Sequence, residues 1–340
     1  MAKRSRLGHG IAAMALIAAA SAFGGAARAQ MEHTIVSLPA ENFGFLPFYV
    51  AQDAHFFDKQ DLEVTKVVLP GVATTNGVIS GSVNFGFSNG ASLTRAAARG
   101  QKLLAIALTS DKPAWQIVLR KSVAEKAHFD PRAPLAERAK AMGLARAFAI
   151  DSVNSVGHAL VRVDAKIGGL DPDKMSVTPM LSQEAILAYS RGAIDGFVSN
   201  APWTQQVLAT GTAVVIADGL AGDPPWLRPF ALGLVITRPE FCAEHRSICM
   251  KMGHALVEAV KFIHEHRAES LAILEKRFPQ VDRAVMGPAF DTVEKSISPV
   301  PVVTEAAIAN ADRLNIEAGF MKPQEKLGSY QGLYTNEYVQ

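Results

Sequence analysis

The chain is poor in charge, aromatic residues and cysteine. Of its 340 residues, 19% are charged, 7% are aromatic and two are cysteine. A zinc site on two sulfurs alone is improbable, because structural zinc takes four ligands. No G-x-x-x-x-G-K-[ST] loop occurs, so any ATP hydrolysis belongs to a partner. His264-Glu265-His266 lacks the H-E-x-x-H spacing and reads as a solvated helix end. Against these shortages, 49% of the residues are hydrophobic, ample for a buried core.

The one long apolar run stands at the beginning. Lys3, Arg4 and Arg6 precede Ile11 to Ala26, and Ala27-Arg28-Ala29 follows as an A-x-A cleavage site. Residues 1–29 therefore read as a signal peptide cleaved after Ala29. The run is short and small-residue-rich for an uncleaved anchor, and no cysteine follows it to carry a lipid. Four of the 34 basic residues and none of the 32 acidic ones lie there, which leaves 30 against 32, a net −2. The slight basicity of the whole chain thus belongs to the export signal and gives no support for nucleic-acid binding.

Gly71 to Gly100 carries the densest signal. It reads as helix, short strand and helix, with Thr74-Thr75-Asn76 and Ser88-Asn89 as N-caps and Val83 to Phe87 alternating between them. Two helix starts would flank one strand end and form a site for a small anion or polar head group. Elsewhere strands are expected at His33–Leu38, Leu62–Leu69, Leu103–Leu108, Trp115–Leu119, Arg146–Ile150, Met175–Pro179, Ile194–Ser199, Ala213–Ala217 and Phe230–Thr237. Helices fall between them, including Phe48 to Lys59 and a run from Val156 to Ile167 capped by Asp151 to Ser155. Such alternation argues for a largely parallel α/β sheet covered on both faces. After Ala243 the chain reads as mostly helical, and from Lys322 onward as a polar, loose tail.

Cys242 and Cys249 lie seven residues apart. Along one straight helix that spacing is about 10 Å, too far to bridge. A disulfide requires Cys242 in a turn before the helix that holds Cys249, and Arg238-Pro239-Glu240 permits one. Pairing is the expectation for an exported chain, and two free thiols are the alternative.

Three blocks, in order, resemble one family. Pro47-Phe48-Tyr49-Val50-Ala51 with Phe56-Phe57-Asp58-Lys59 and Leu62-Glu63-Val64 is the first. Gly81-Ser82-Val83-Asn84-Phe85-Gly86-Phe87 with Ala96-Ala97-Ala98-Arg99-Gly100 is the second. Leu187-Ala188-Tyr189-Ser190-Arg191-Gly192-Ala193-Ile194-Asp195-Gly196, closing on Pro202-Trp203, is the third. They resemble the sulfonate/nitrate/taurine-type solute-binding proteins of ABC importers. His55 and Asp61 depart from the family by standing where glycine is usual.

The resemblance implies a two-lobed type II periplasmic-binding-protein fold, each lobe a mostly parallel sheet flanked by helices, with Trp115–Leu119 and Phe230–Thr237 as crossing strands. Residues 30–115 with 231–320 would form lobe 1, residues 116–230 lobe 2, and residues 321–340 a polar tail. It also implies a monomer in the periplasm that binds a small molecule without a cofactor and meets an inner-membrane ABC permease.

Strand-to-helix junctions supply the candidate ligand contacts. These are Asn42, Phe43, Thr74, Thr75, Ser88, Asn89 and Thr109 in the first lobe, and Ser152, Asn154, Ser155, Asn200 and Trp226 in the second. The bland reading of each is a cap facing solvent or, for Trp115, Trp203 and Trp226, core packing. Micromolar affinity needs about 8 kcal/mol, within reach of several charge-assisted hydrogen bonds at roughly 1.5–3 kcal/mol each. No arginine or lysine lies in these loops, so a small organic acid or an aromatic molecule with one polar head fits better than nitrate.

Two other readings compete. A sensory domain would keep the fold without transport. A serine hydrolase is suggested by Gly86-Phe87-Ser88-Asn89-Gly90, which matches G-x-S-x-G between a strand and a helix. No His-Gly oxyanion segment precedes it outside the export signal, and His254 and His264 sit on helix faces. The exported chain is expected to leave esters intact and to resist fluorophosphonate. Covalent labelling of Ser88, read by mass spectrometry, would make the chain a hydrolase.

Overall fold

Ten strands form two five-stranded sheets with the same topology. The computed structural model describes residues 31–340; the expected signal peptide and its cleavage site lie outside the described residues. The strands are β1 (Glu32–Leu38), β2 (Leu62–Val68), β3 (Phe85–Ser88), β4 (Leu104–Leu108), β5 (Gln116–Arg120), β6 (Phe148–Ile150), β7 (Val177–Pro179), β8 (Gly196–Ser199), β9 (Ala213–Asp218) and β10 (Leu234–Thr237). The first sheet runs β2-β1-β3-β10-β4 and the second β7-β6-β8-β5-β9. In each, four strands share a direction and one opposes them, β10 in the first and β5 in the second. The opposing strand is the one that has just arrived from the other sheet. Both opposing strands lie inside their sheets and are buried almost throughout, with Ile117 to Leu119 and Leu234 to Ile236 as their apolar centres.

The helices that matter for the site are α1 (Leu46–Asp53), α2 (Phe56–Lys59), α3 (Ala73–Ser80), α4 (Gly90–Ala98), α5 (Val156–Ile167), α6 (Trp203–Ala209), α7 (Pro239–Glu244), α8 (Arg246–Glu265) and α9 (Glu305–Glu317). The single helix expected over Phe48 to Lys59 is broken between α1 and α2. His55 there takes a left-handed φ of 59°, and Asp61 takes 50°. Neither position has its glycine, and both still make the left-handed turn. His55 Nδ1 lies 2.6 Å from Asp58 Oδ2, which helps hold the first of these turns.

Chain crossings join the sheets at residues 109–115 and 219–233. The strand expected from Phe230 begins only at Leu234, because the preceding residues bond to the other crossing instead. Phe230 N–H donates to Asp111 O (2.8 Å), Gly233 N–H to Ser110 O (3.0 Å), and Thr109 N–H to Gly233 O (2.8 Å). Helix α9 packs against both α4 and α5, and so touches both lobes.

Cys242 and Cys249 form a disulfide with Cα atoms 5.7 Å apart. The backbone breaks at His245, between α7 and α8, and this brings the two sulfurs within reach. The tail is not loose. Ala105 N–H donates to Leu333 O (2.8 Å) and Thr335 N–H to Ala105 O (3.0 Å), so the tail pairs with the free edge of β4. Tyr330, Tyr338 and Val339 are buried. Tyr338 lies so close over Gly253 of α8 that any Cβ there would collide with its backbone.

One core group is out of balance. Asp164, on the inner face of α5, is fully enclosed and its Oδ1 has no hydrogen-bond partner. Burial, with Asp223 adding like charge, pushes its carboxyl up to about 8. An unfolded aspartate titrates near 3.9, so this group's contribution to stability is complete below pH ~4. It is lost as pH rises toward about 8, at roughly 1.4 kcal/mol per pH unit. Asp164→Asn should therefore raise the melting temperature, and the gain over wild type should grow between pH 5 and pH 8. An equal gain at both pH values in differential scanning calorimetry would contradict this.

Candidate functional site

The residues that follow β1, β3, β6 and β8 (Pro39, Asn89, Asp151 and Asn200) line one cleft between the sheets. It encloses about 820 Å³, part of it open to solvent. Open α/β sheets bind ligands beyond the carboxyl ends of their strands, and here two sheets offer those ends to the same space. Phe45 and Trp115 supply aromatic wall.

Helix caps set much of the geometry. Asn89 caps α4, its side chain accepting from Ser92 N–H at 2.9 Å. Ser155 caps α5, accepting from His158 N–H at 3.1 Å and donating to Asp151 Oδ1 at 2.6 Å. Across the cleft, Asn200 Nδ2 donates to Asn42 Oδ1 (3.3 Å) and Phe43 N–H to Ala201 O (3.2 Å), so the lobes touch.

Six of the twelve residues expected to contact ligand line this cleft: Asn42, Ser88, Asn89, Ser152, Ser155 and Asn200. The other six do not. Phe43 is fully buried, its ring 5.0 Å from that of Phe278. The cap expected at Thr74-Thr75-Asn76 does not form, because α3 already starts at Ala73. Thr74 donates instead to Leu69 O (2.8 Å), and Thr75 Oγ1 lies 2.9 Å from Ser88 Oγ. Thr109 donates to Gly233 O (3.0 Å) at the crossing. Asn154 is exposed with φ 64°, and Trp226 packs beneath the Arg313 guanidinium, 4.3 Å from the ring centroid.

Sequence reasoning passed over Trp115, Phe45 and Asp151. Asp151 carried a usable signal, since it directly follows β6. Trp115 carried none, because its place depends on the crossing. Ser88 ends β3 and is not among the left-handed residues, unlike the strained serine of a nucleophile elbow. Among the described residues no histidine hydrogen-bonds to it.

The cleft is electrostatically sparse. Among the described residues, no lysine, arginine or histidine lines it. Burial raises the pKa of Asp151, against hydrogen bonds from Ser155 and from backbone N–H groups. Trp115 Nε1 and Ser152 Oγ are buried without a hydrogen-bond partner among the described residues. Each such group costs about 1–3 kcal/mol until something bonds to it, and both belong to residues lining the cleft.

The NMT1-like family profile matches residues 41–275 of the chain. A protein of Bordetella bronchiseptica RB50 superposes with a TM-score of 0.74 at 18% identity, covering 91% of this chain and 96% of that one. The alkanesulfonate-binding protein SsuA of Xanthomonas axonopodis pv. citri, solved with MOPS, superposes at 0.68 and 16% identity, covering 88% and 97%. The periplasmic nitrate-binding protein NrtA of Synechocystis PCC 6803 superposes at 0.64 and 14% identity, covering 87% and 84%. These likenesses establish the fold. No curated protein sequence is significantly similar to the chain.

Gly71 stands where the lobes meet. A Cβ there would lie 2.5 Å from Ser152 Oγ, and the φ of +56° disfavours any side chain. Gly71→Ala should hold the lobes apart and raise the radius of gyration in small-angle scattering. Adding Ser152→Gly should partly restore the compact value; unchanged scattering in Gly71→Ala would show that this contact does not limit closure.

Proposed function

Because the chain belongs to the NMT1-like family, we propose that it is the substrate-binding component of an ABC importer, capturing a small organic anion or an aromatic or sulfonate-type solute in the interlobe cleft. It works as an exported, periplasmic monomer, released from its signal peptide after Ala29. Residues 30–115 with 231–320 act as one lobe and residues 116–230 as the other. The solute bridges the lobes, stabilises their closed arrangement, and so marks the loaded receptor for an inner-membrane permease. The ATPase is engaged only through that permease, and no catalytic step or cofactor is involved.

The observation that carries this reading is the pair of unpartnered buried groups, Trp115 Nε1 and Ser152 Oγ, in a cleft both lobes share. A bound solute with an apolar or aromatic body and one polar head would satisfy them while resting on Phe45 and Trp115. The bonded, extended Ser88 favours a binding role over the hydrolase alternative.

A thermal-shift screen across sulfonates, carboxylates, aromatic acids and pyrimidines should identify a solute that raises the melting temperature. Replacing Ser88, Asn89 and Ser155 with alanine should then weaken its binding about tenfold per hydrogen bond lost, at roughly 1.4 kcal/mol each. The fold should persist, with a cap penalty of about 1 kcal/mol at Asn89 and Ser155. Unchanged calorimetric affinity in the triple variant would place the binding site elsewhere.

A further inference from the structure

Helices α3 and α4 both begin at the cleft and enclose a groove of about 680 Å³ between them. Val72 and Ser92 line cleft and groove alike, so the two spaces meet at the helix starts. Along the groove, α4 presents Ser92, Arg95 and Arg99 at helical spacing on one face.

Arg95 is an anomaly. Its residue surface is only 7% exposed, yet among the described residues no carboxylate pairs with it. Its guanidinium donates to Asn315 Oδ1 and to Ser92 Oγ (3.4 Å). Asn315 is itself fixed, its Nδ2 donating to Ala91 O (2.9 Å) and Thr94 Oγ1 (3.0 Å), which turns its oxygen toward the arginine. The neighbouring charge is Arg99, of the same sign. A buried cation without a counter-ion is costly, and a second cation beside it adds to that cost. The Phe320 ring, 5.8 Å from the guanidinium, offsets only part of it.

We propose that the groove between α3 and α4 is an oxyanion subsite contiguous with the cleft, in which Arg95 and Arg99 receive a sulfonate, carboxylate or phosphate group. Arginine's planar fork suits such groups, and three guanidinium donors of Arg95 remain without a partner. Burial and Arg99 lower the pKa of Arg95 to about 10, which leaves it charged at neutral pH. The inference deepens the binding reading above, because it supplies the cationic group that the cleft itself lacks. The oxyanion is either the charged end of the cleft's solute or a free inorganic ion.

Calorimetric titration of the purified protein with inorganic sulfate, and separately with 3-phenylpropanesulfonate, tests the proposal. Arg99 is exposed and, among the described residues, its side chain makes no hydrogen bond, so Arg99→Gln should fold normally. Arg95→Lys keeps charge but loses the fork. The expected result is binding in wild type that weakens at least tenfold in both variants. Weakening for the organic sulfonate as well as sulfate assigns the site to the solute's charged end; weakening for sulfate alone assigns it to a free ion. No binding of either probe at 10 mM, or equal affinity in Arg99→Gln, would overturn the proposal. The sulfate titration does not depend on the cleft being a solute site, so the two readings fail separately.

Discussion

The architecture depends on the hydrogen bonds between the two chain crossings. Thr109, Ser110 and Asp111 exchange bonds with Phe230 and Gly233, and Thr109 reinforces the pairing with its hydroxyl. Backbone groups buried where two lobes join must find partners, and here they find each other. The pairing ties the chain leaving the first sheet after β4 to the chain returning to it before β10. The proposed closure of the lobes would pivot at this junction, with the cleft as the space it opens or shuts. The contacts away from the crossings, Asn42 to Asn200 (3.3 Å) and Phe43 to Ala201 (3.2 Å), are longer.

What the sequence disclosed depends on distance along the chain. The caps at Asn89 and Ser155 were legible because a cap is decided within four residues. The pairing of Cys242 with Cys249 was legible too, but not its geometry: Cys242 lies inside α7 rather than in a turn at Arg238-Pro239-Glu240, and the break falls at His245. Thr74 and Thr75 looked like caps, but their hydroxyls are taken by Leu69 O and Ser88, partners set by packing rather than by local spacing. Thr109 has the residue type and junction position of a ligand contact, yet its partner lies 124 residues away. Trp115 was misplaced for the same reason, since only the crossing brings it to the cleft.

Cleft and groove divide the electrostatic labour. The cleft offers aromatic wall, hydroxyls, amides and one carboxyl, with no fixed positive charge. Helix starts lend it partial positive character, but Asn89 and Ser155 already satisfy some of those donors. Full positive charge sits further along α4, on Arg95 and on Arg99 at its C-terminal cap. Keeping cations out of the cleft leaves its selectivity to shape and hydrogen bonding, while the arginines hold a long-range field at its edge.

The end of the chain seals the outer margin of the first sheet, where Tyr334 pairs beside Ala105 across 229 residues of sequence. An open strand margin invites lateral addition of other chains, and here the remedy is supplied by the segment around Tyr334. The backbone groups of β4 at Ala105 are therefore covered by a segment that lies far later in the sequence than the strand itself. Removing residues 329–340 would bare those groups and leave the sheet half-hemmed, with a sticky margin turned to its surroundings.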